Sequence, residues 1–312
     1  MSDGVLFLSV GAKHLRNLAV SLWSLRKHYG GPVTILAGDD NVEKFIGTTD
    51  SRLGDTTIQP FEFEKIQKRN GCYFAKTNMW AMSPYMRTIY LDCDTVIHGD
   101  ITDLWPGTEE VVNWTQFADW TTQTGRIKNR INGEGWPEIF PKEVAYQTAN
   151  KYPAINTGIL GFSRSSERVM KRWHEETRKN VSFICDEICA QLLAFEFPHN
   201  IMDHRWNASP RYSYDALGLK DLESSDVRIV HSHGNKGLKC SAGQQKMFLS
   251  AYFEAFYEDF VGLQEWDDKV AKGMKHPSKF VKRFTAAYRA WCRSNDCEPA
   301  KLPKRFDLNK GK

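Results

Sequence analysis

The sequence predicts an α/β protein with a mostly parallel central sheet and a helical C-terminal extension. Three observations carry that prediction. The first hundred residues alternate short β-rich runs with helical periodicity, one apolar run ends in two closely spaced carboxylates, and the last 45 residues change sharply in charge. Val5 to Val10 and Val33 to Leu36 read as strands. Between them Leu15, Leu18, Ala19, Leu22 and Leu25 recur at intervals of three and four residues, one apolar face of a helix spanning 13–28. Tyr29-Gly30-Gly31-Pro32 stops that helix. Thr57 to Phe61 and Arg87 to Leu91 supply further strands, separated by a helix from about Ala75 to Met82 that ends at Ser83-Pro84.

The run Arg87 to Leu91 ends in Asp92-Cys93-Asp94. Polar groups at the carboxyl end of a buried strand face the crevice where open α/β sheets bind ligands. Two carboxylates there offer hard oxygen ligands to Mn²⁺ or Mg²⁺, which commonly complete their shell with substrate phosphates. The pattern also occurs by chance as a turn or helix cap. Further along, periodicity disappears between Trp120 and Tyr152, where Gly125, Gly133, Gly135, Pro137 and Pro141 predict a long irregular segment, either an acceptor-facing loop or a variable insertion. A helix over about 166–179, a second helix beginning near Asp186, and a strand over 227–230 that delivers His231 complete the pattern.

The order of these segments resembles the GT-A glycosyltransferases, a Rossmann-like fold for nucleotide-diphospho-sugar transfer, and within them the retaining family 8 that includes glycogenin and bacterial lipooligosaccharide galactosyltransferases. The resemblance covers roughly residues 4–240. It rests on the first strand and helix, Ala75-Lys76-Thr77-Asn78-Met79-Trp80, Tyr90-Leu91-Asp92-Cys93-Asp94, Ala154 to Phe162, Asp186-Glu187, Trp206-Asn207 and Val230-His231-Ser232-His233-Gly234. It implies transfer of a sugar from a nucleotide-sugar donor, UDP-linked, to an acceptor hydroxyl with retention of configuration.

The same resemblance implies the roles. Asp92, Asp94 and His231 would bind Mn²⁺ or Mg²⁺, with His233 a competitor for the third place. Lys76 would meet the diphosphate or sugar. Asn156 would hydrogen-bond the donor sugar, and Gly158 would let backbone approach it. Asp186 would bind a sugar hydroxyl, while Glu187 stands where glutamine is commoner; both are carboxylates available for catalysis. Val10, Gly11 and Ala12 would approach the nucleotide base, and Gly234 and Lys236 the diphosphate, with Lys239 the alternative to Lys236. Asp39 and Asp40 read either as ribose contacts or as a turn and cap. The acceptor implied is a glycan or lipid-linked glycan. Rival readings are a nucleic-acid acceptor, a nucleotidyltransferase, or a non-catalytic nucleotide-sugar binder; the second would want a glycine-rich basic phosphate loop near the first strand, and the third would be expected to have lost metal ligands.

At 312 residues, with 41% hydrophobic and 12% aromatic side chains, the chain can bury a substantial core. Seven scattered cysteines form no disulfide framework and suit a reducing, cytoplasmic setting, and the first residues lack the basic flank of a signal peptide. Cys185 and Cys189 read as core thiols. Residues 268–312 hold 13 Lys and Arg against 4 Asp and Glu, a balance of +9, whereas the rest of the chain holds 29 against 34, a balance of −5. This divides the sequence into a catalytic domain, 1–267, and a basic aromatic extension, 268–312. Phe280, Phe284, Tyr288 and Trp291 form a stripe along the extension that suits an anionic membrane surface, a nucleic acid, or docking on the catalytic domain.

Overall fold

The computed structural model describes residues 2–11, 14–46, 50–62, 67–107, 110–118, 135–182, 184–208, 227–232, 246–264 and 277–298. Nine strands and ten helices are described: β1 (Gly4–Ser9), α1 (Leu15–Arg26), β2 (Val33–Ala37), α2 (Asp40–Ile46), β3 (Thr56–Pro60), α3 (Gln67–Thr77), α4 (Met79–Met82), β4 (Arg87–Leu91), β5 (Thr95–Ile97), β6 (Val112–Ala118), α5 (Trp136–Ile139), α6 (Pro141–Ala149), β7 (Ala154–Ser163), α7 (Glu167–Lys179), α8 (Cys185–Leu193), β8 (His199–Met202), β9 (Ile229–His231), α9 (Lys246–Tyr257) and α10 (Pro277–Ser294).

Seven strands form the central sheet in the order β3-β2-β1-β4-β7-β6-β8. The pairs β1/β2, β1/β4 and β2/β3 are parallel, β7 runs antiparallel to both neighbours, and β8 is parallel to β6. A strand's side chains alternate between faces, so a sheet covered on both sides needs apolar residues at nearly every position. β1 and β4 show this. Val5, Phe7, Ile89 and Leu91 join one core with the apolar face of α1, while Leu6 and Tyr90 join a second core with Trp114, Trp173 and Ile188.

Two sequence expectations change. Of the stretch expected to be irregular between Trp120 and Tyr152, residues 120–134, with Gly125 and Gly133, lie outside those described, and the remainder forms helices over Trp136–Ile139 and Pro141–Ala149. Pro137 and Pro141 sit in their first turns, where a missing N–H costs nothing and the fixed φ favours the helix, so residues taken as breakers are helix starts. The single helix expected over 75–82 is two, α3 beginning earlier and α4 following after Asn78.

Helix α10 docks on the rest of the described fold. Tyr288 and Cys292 are fully buried in the same core as β1 and α1. The Tyr288 ring lies 5.7 Å from Phe253 and 5.3 Å from Phe256 of α9, and Trp291 Nε1 donates to Ser250 Oγ at 3.2 Å. Half of the predicted stripe is therefore covered by the protein's own aromatic residues; the side chains of Phe280 and Phe284 lie outside those described. No described helix is long and apolar enough to cross a membrane.

Candidate active site

β4 ends at Leu91, which places Asp92 and Asp94 beyond the carboxyl edge of the parallel strands. The chain turns into β5, which pairs antiparallel with β9 so that Thr95 lies opposite His231. Two further backbone bonds seat the histidine: its N–H donates to Ala208 O at 2.9 Å, and Ser232 N–H donates to Asp94 O at 2.8 Å. Residues 137 positions apart thus meet through one short ladder. His231 Nε2 is 3.1 Å from Asp94 Oδ1 and 3.7 Å from Asp92 Oδ2. One ligand atom from each of the three residues lies within 4.8 Å of the others, so Asp92, Asp94 and His231 can hold a metal ion.

Because β7 is antiparallel to β4, its early residues run past the same edge, and Asp92 N–H donates to Gly158 O at 2.6 Å. A Cβ on Gly158 would stand 2.1 Å from His231 Cε1 and 2.7 Å from Asp92 Oδ2. The glycine is therefore required by the side chains of His231 and Asp92 themselves.

Lys76, at the last turn of α3, is buried between two carboxylates, 3.1 Å from Asp92 Oδ2 and 3.7 Å from Asp186 Oδ2. Burial alone would lower the pKa of its ammonium group, but Asp92 and Asp186 outweigh it and hold the group above the ordinary lysine value. Tyr90 adds a second anchor: its hydroxyl donates to Asp92 Oδ1 at 2.6 Å, and Lys76 Nζ lies 5.5 Å from its ring centroid.

Asp186 and Glu187 open α8 and are both buried. Trp173 Nε1 from α7 secures their turn by donating to Asp186 O at 2.7 Å. The residue before this helix, Ile184, occupies the left-handed region at φ 54°, a strained conformation for a β-branched side chain. Burial raises the pKa of the Asp186 carboxyl, against the pull of Lys76 and the hydrogen bond from Thr157 Oγ1 at 2.9 Å. Asp186 Oδ1 has no hydrogen-bond partner among the described residues.

Asn156, expected at the donor sugar, is packed inward. Its Nδ2 donates to Glu187 Oε2 at 2.8 Å and its Oδ1 accepts from Gly158 N–H at 2.9 Å. Gln191, one turn beyond Glu187, joins β7 differently, accepting from Ile155 N–H at 2.8 Å.

Val10 and Gly11 follow β1 at the same sheet edge, and Gly11 has φ 85°, which favours glycine. Its N–H donates to Asp39 Oδ2 at 2.5 Å, and Asp39 Oδ1 accepts from Asn41 N–H at 2.9 Å. Burial opposes ionisation of Asp39, yet these two amides hold its carboxyl below the usual range. Of the two roles open to Asp39, the structure shows the turn. Ala12, His233, Gly234, Lys236 and Lys239 lie outside the described residues. Sequence reasoning gave no role to Tyr90, Thr115, Thr157 or Asn207. Tyr90 was within reach, since positions 90 and 92 share a strand face; the other three are brought in by cross-strand and inter-element pairing that spacing does not encode.

The sequence matches no known family model and no curated protein. Solved structures do match the fold. The galactosyltransferase LgtC, crystallised with donor and acceptor sugar analogues, aligns with a TM-score of 0.57 at 13% identity, over 80% of this chain and 95% of LgtC. Mouse xyloside xylosyltransferase 1 aligns at 0.52 and 13%, over 76% and 100% of the two chains. GlyE of Streptococcus pneumoniae aligns at 0.53 and 18%, over 86% of this chain and 64% of GlyE. The chain has the GT-A glycosyltransferase fold that its motifs resemble.

Proposed function

We propose that the protein is a retaining glycosyltransferase that moves a sugar from a UDP-sugar to a glycan or lipid-linked glycan hydroxyl, using Mn²⁺ or Mg²⁺ at Asp92, Asp94 and His231. The observation that carries this reading is the convergence of two carboxylates and an imidazole, with ligand atoms within 4.8 Å, at the edge where such sheets bind ligands. The donor set fits the metal: carboxylate oxygens and one imidazole suit Mn²⁺. A bound cation supplies Lewis-acid stabilisation of the departing diphosphate.

The chain's own residues do the rest. Lys76 is buried and charged where the leaving group would gather negative charge, and its two carboxylate partners fix its position without solvent reorganisation. Asp186 offers an oxygen with no described protein partner, which suits a sugar hydroxyl. Glu187 stands beside it, held by Asn156. Val10 and Gly11 present backbone at the edge where the base would lie, with Gly11 tied down by Asp39. Contact with an anionic membrane surface would fall to the basic residues of the extension, since Tyr288 is buried in the fold and Trp291 packs against α9.

The test is incubation of purified protein with a panel of nucleotide sugars and Mn²⁺, reading donor hydrolysis and the anomer released. Hydrolysis of a UDP-sugar that is abolished in Asp92→Ala and Asp94→Ala and by chelation is expected. Full turnover in either variant would rule out the metal assignment, and an inverted product would rule out retention.

A further inference from the structure

The metal site is joined to Glu187 by a chain of buried amides whose hydrogen-bond directions can be deduced from groups with only one possible role. Gly158 N–H can only donate, and it meets Asn156 Oδ1 at 2.9 Å. The oxygen of the Asn156 amide is thereby fixed toward Gly158, and its nitrogen toward the Glu187 carboxylate, 2.8 Å away. Asn207 approaches the same Asn156 oxygen at 3.3 Å and so must present its own nitrogen there. A second anchor agrees. The carbonyl of Ile159 can only accept, and it takes the Thr115 hydroxyl proton at 2.7 Å, which leaves a Thr115 lone pair to accept from Asn207 Nδ2 at 2.8 Å.

Two independent backbone groups therefore turn Asn207 Oδ1 toward His231 Nδ1, at 3.0 Å. Asn207 is fully buried. An oxygen facing Nδ1 requires that nitrogen to carry a proton, and the lone pair of a neutral ring then lies on Nε2, the atom 3.1 Å from Asp94.

We propose that Asn156 and Asn207 form a relay that fixes the tautomer and ring orientation of His231, making Nε2 the metal-ligating atom and tying the metal site to Glu187. Asn156 and Asn207 are positioning residues on this view: Asn156 acts on the metal ligand through Asn207, and its contact with Glu187 holds the acidic pair in register with the metal. The relay rests on the metal site of the proposed function, though not on the identity of any donor. Outer-shell partners of metal histidines typically govern affinity by about 10- to 100-fold.

The experiment measures Mn²⁺ affinity by calorimetry on the full chain with no donor present. In Asn207→Leu the affinity is expected to fall about 10- to 100-fold, and in Asn156→Leu several-fold, with melting temperatures followed in parallel. A residue that only touched the donor sugar would leave Mn²⁺ affinity unchanged, so an Asn156→Leu protein that binds Mn²⁺ like the parent overturns the relay. Should either variant fail to fold, nitrogen-15 correlation spectra of the unsubstituted protein loaded with diamagnetic Zn²⁺ decide the matter, with His231 assigned by its loss in His231→Asn. Protonated Nδ1 with unprotonated Nε2 is expected; the reverse tautomer overturns the proposal. Asp92→Ala separates the two levels. If it binds Mn²⁺ as well as the parent, the metal site itself is misplaced, whereas a loss there with no loss in Asn207→Leu defeats the relay alone.

Discussion

Single atoms decide the geometry at the residue scale, and Gly158 is the sharpest case. Its missing Cβ is the space in which His231 Cε1 and Asp92 Oδ2 approach the β7 backbone. Neither neighbour is free to yield, because His231 is held at Nδ1 and through its backbone, and Asp92 is held by Tyr90 and Lys76. Gly158→Ala is expected to displace a ligand and to abolish Mn²⁺-dependent turnover while the far-ultraviolet spectrum stays native; turnover near the parent level would show that the ligands can move. Lys76 carries a different risk. Removing one partner from a buried ion cluster leaves uncompensated charge, here on Asp186, at a cost of about 3–5 kcal/mol. Lys76→Met is therefore expected to lower stability in urea as well as turnover, and a variant of parental stability would mean that solvent reaches Asp186.

At the scale of elements, strand ends and helix faces were legible in the sequence, whereas the pairings between distant segments were not. Asp92, Asp94 and His231 each follow closely on an apolar run, so their place at a strand end could be read, and so could the β-α-β alternation that builds the edge. Asn207 and Thr115 could not be assigned, because they reach His231 through the pairing of β6 with β7 and the bridge between Ala208 and Val230. Helices α5 and α6 were hidden by prolines that the helix tolerates only in its first turn. Helix α10 was read as amphipathic, but which surface its stripe covers is set by α9, an element that precedes it in the chain. Tyr288 makes that docking measurable. Its ring is fully buried against Phe253 and Phe256, so Tyr288→Ala is expected to cost about 3–5 kcal/mol, the range for deleting a buried aromatic ring. A loss below about 1 kcal/mol in urea titration would mean that α10 contributes little to the fold and would return the stripe to solvent or to a partner.

At the scale of the whole molecule, contacts tie together segments far apart in the chain, and one of them depends on pH. Asp50 lies just after the first β-α-β unit, yet its Oδ2 accepts from Val261 N–H at 2.9 Å, 211 positions away. Arg52 reinforces this link. It pairs with Asp50 Oδ2 at 2.7 Å, donates to Glu258 O at 2.8 Å, and lies over the rings of Trp23 and Phe260. The hydrogen bonds from Arg52 come first among the causes that draw the Asp50 carboxyl down from 3.8 to about 2, with the Val261 amide adding to them against partial burial. A carboxyl whose pKa is lower in the folded than in the unfolded chain stabilises the fold fully above the unfolded value, and that contribution disappears as pH falls through the folded one. The window is thus from about pH 4 down to about pH 2. Asp50→Asn removes the charge at every pH, so its melting temperature should lie furthest below the parent's above about pH 4 and converge on it toward about pH 2. A gap that stayed constant across that window would mean that the Asp50 charge contributes nothing to joining these distant segments, leaving the packing of Trp23 against Phe260 to do so.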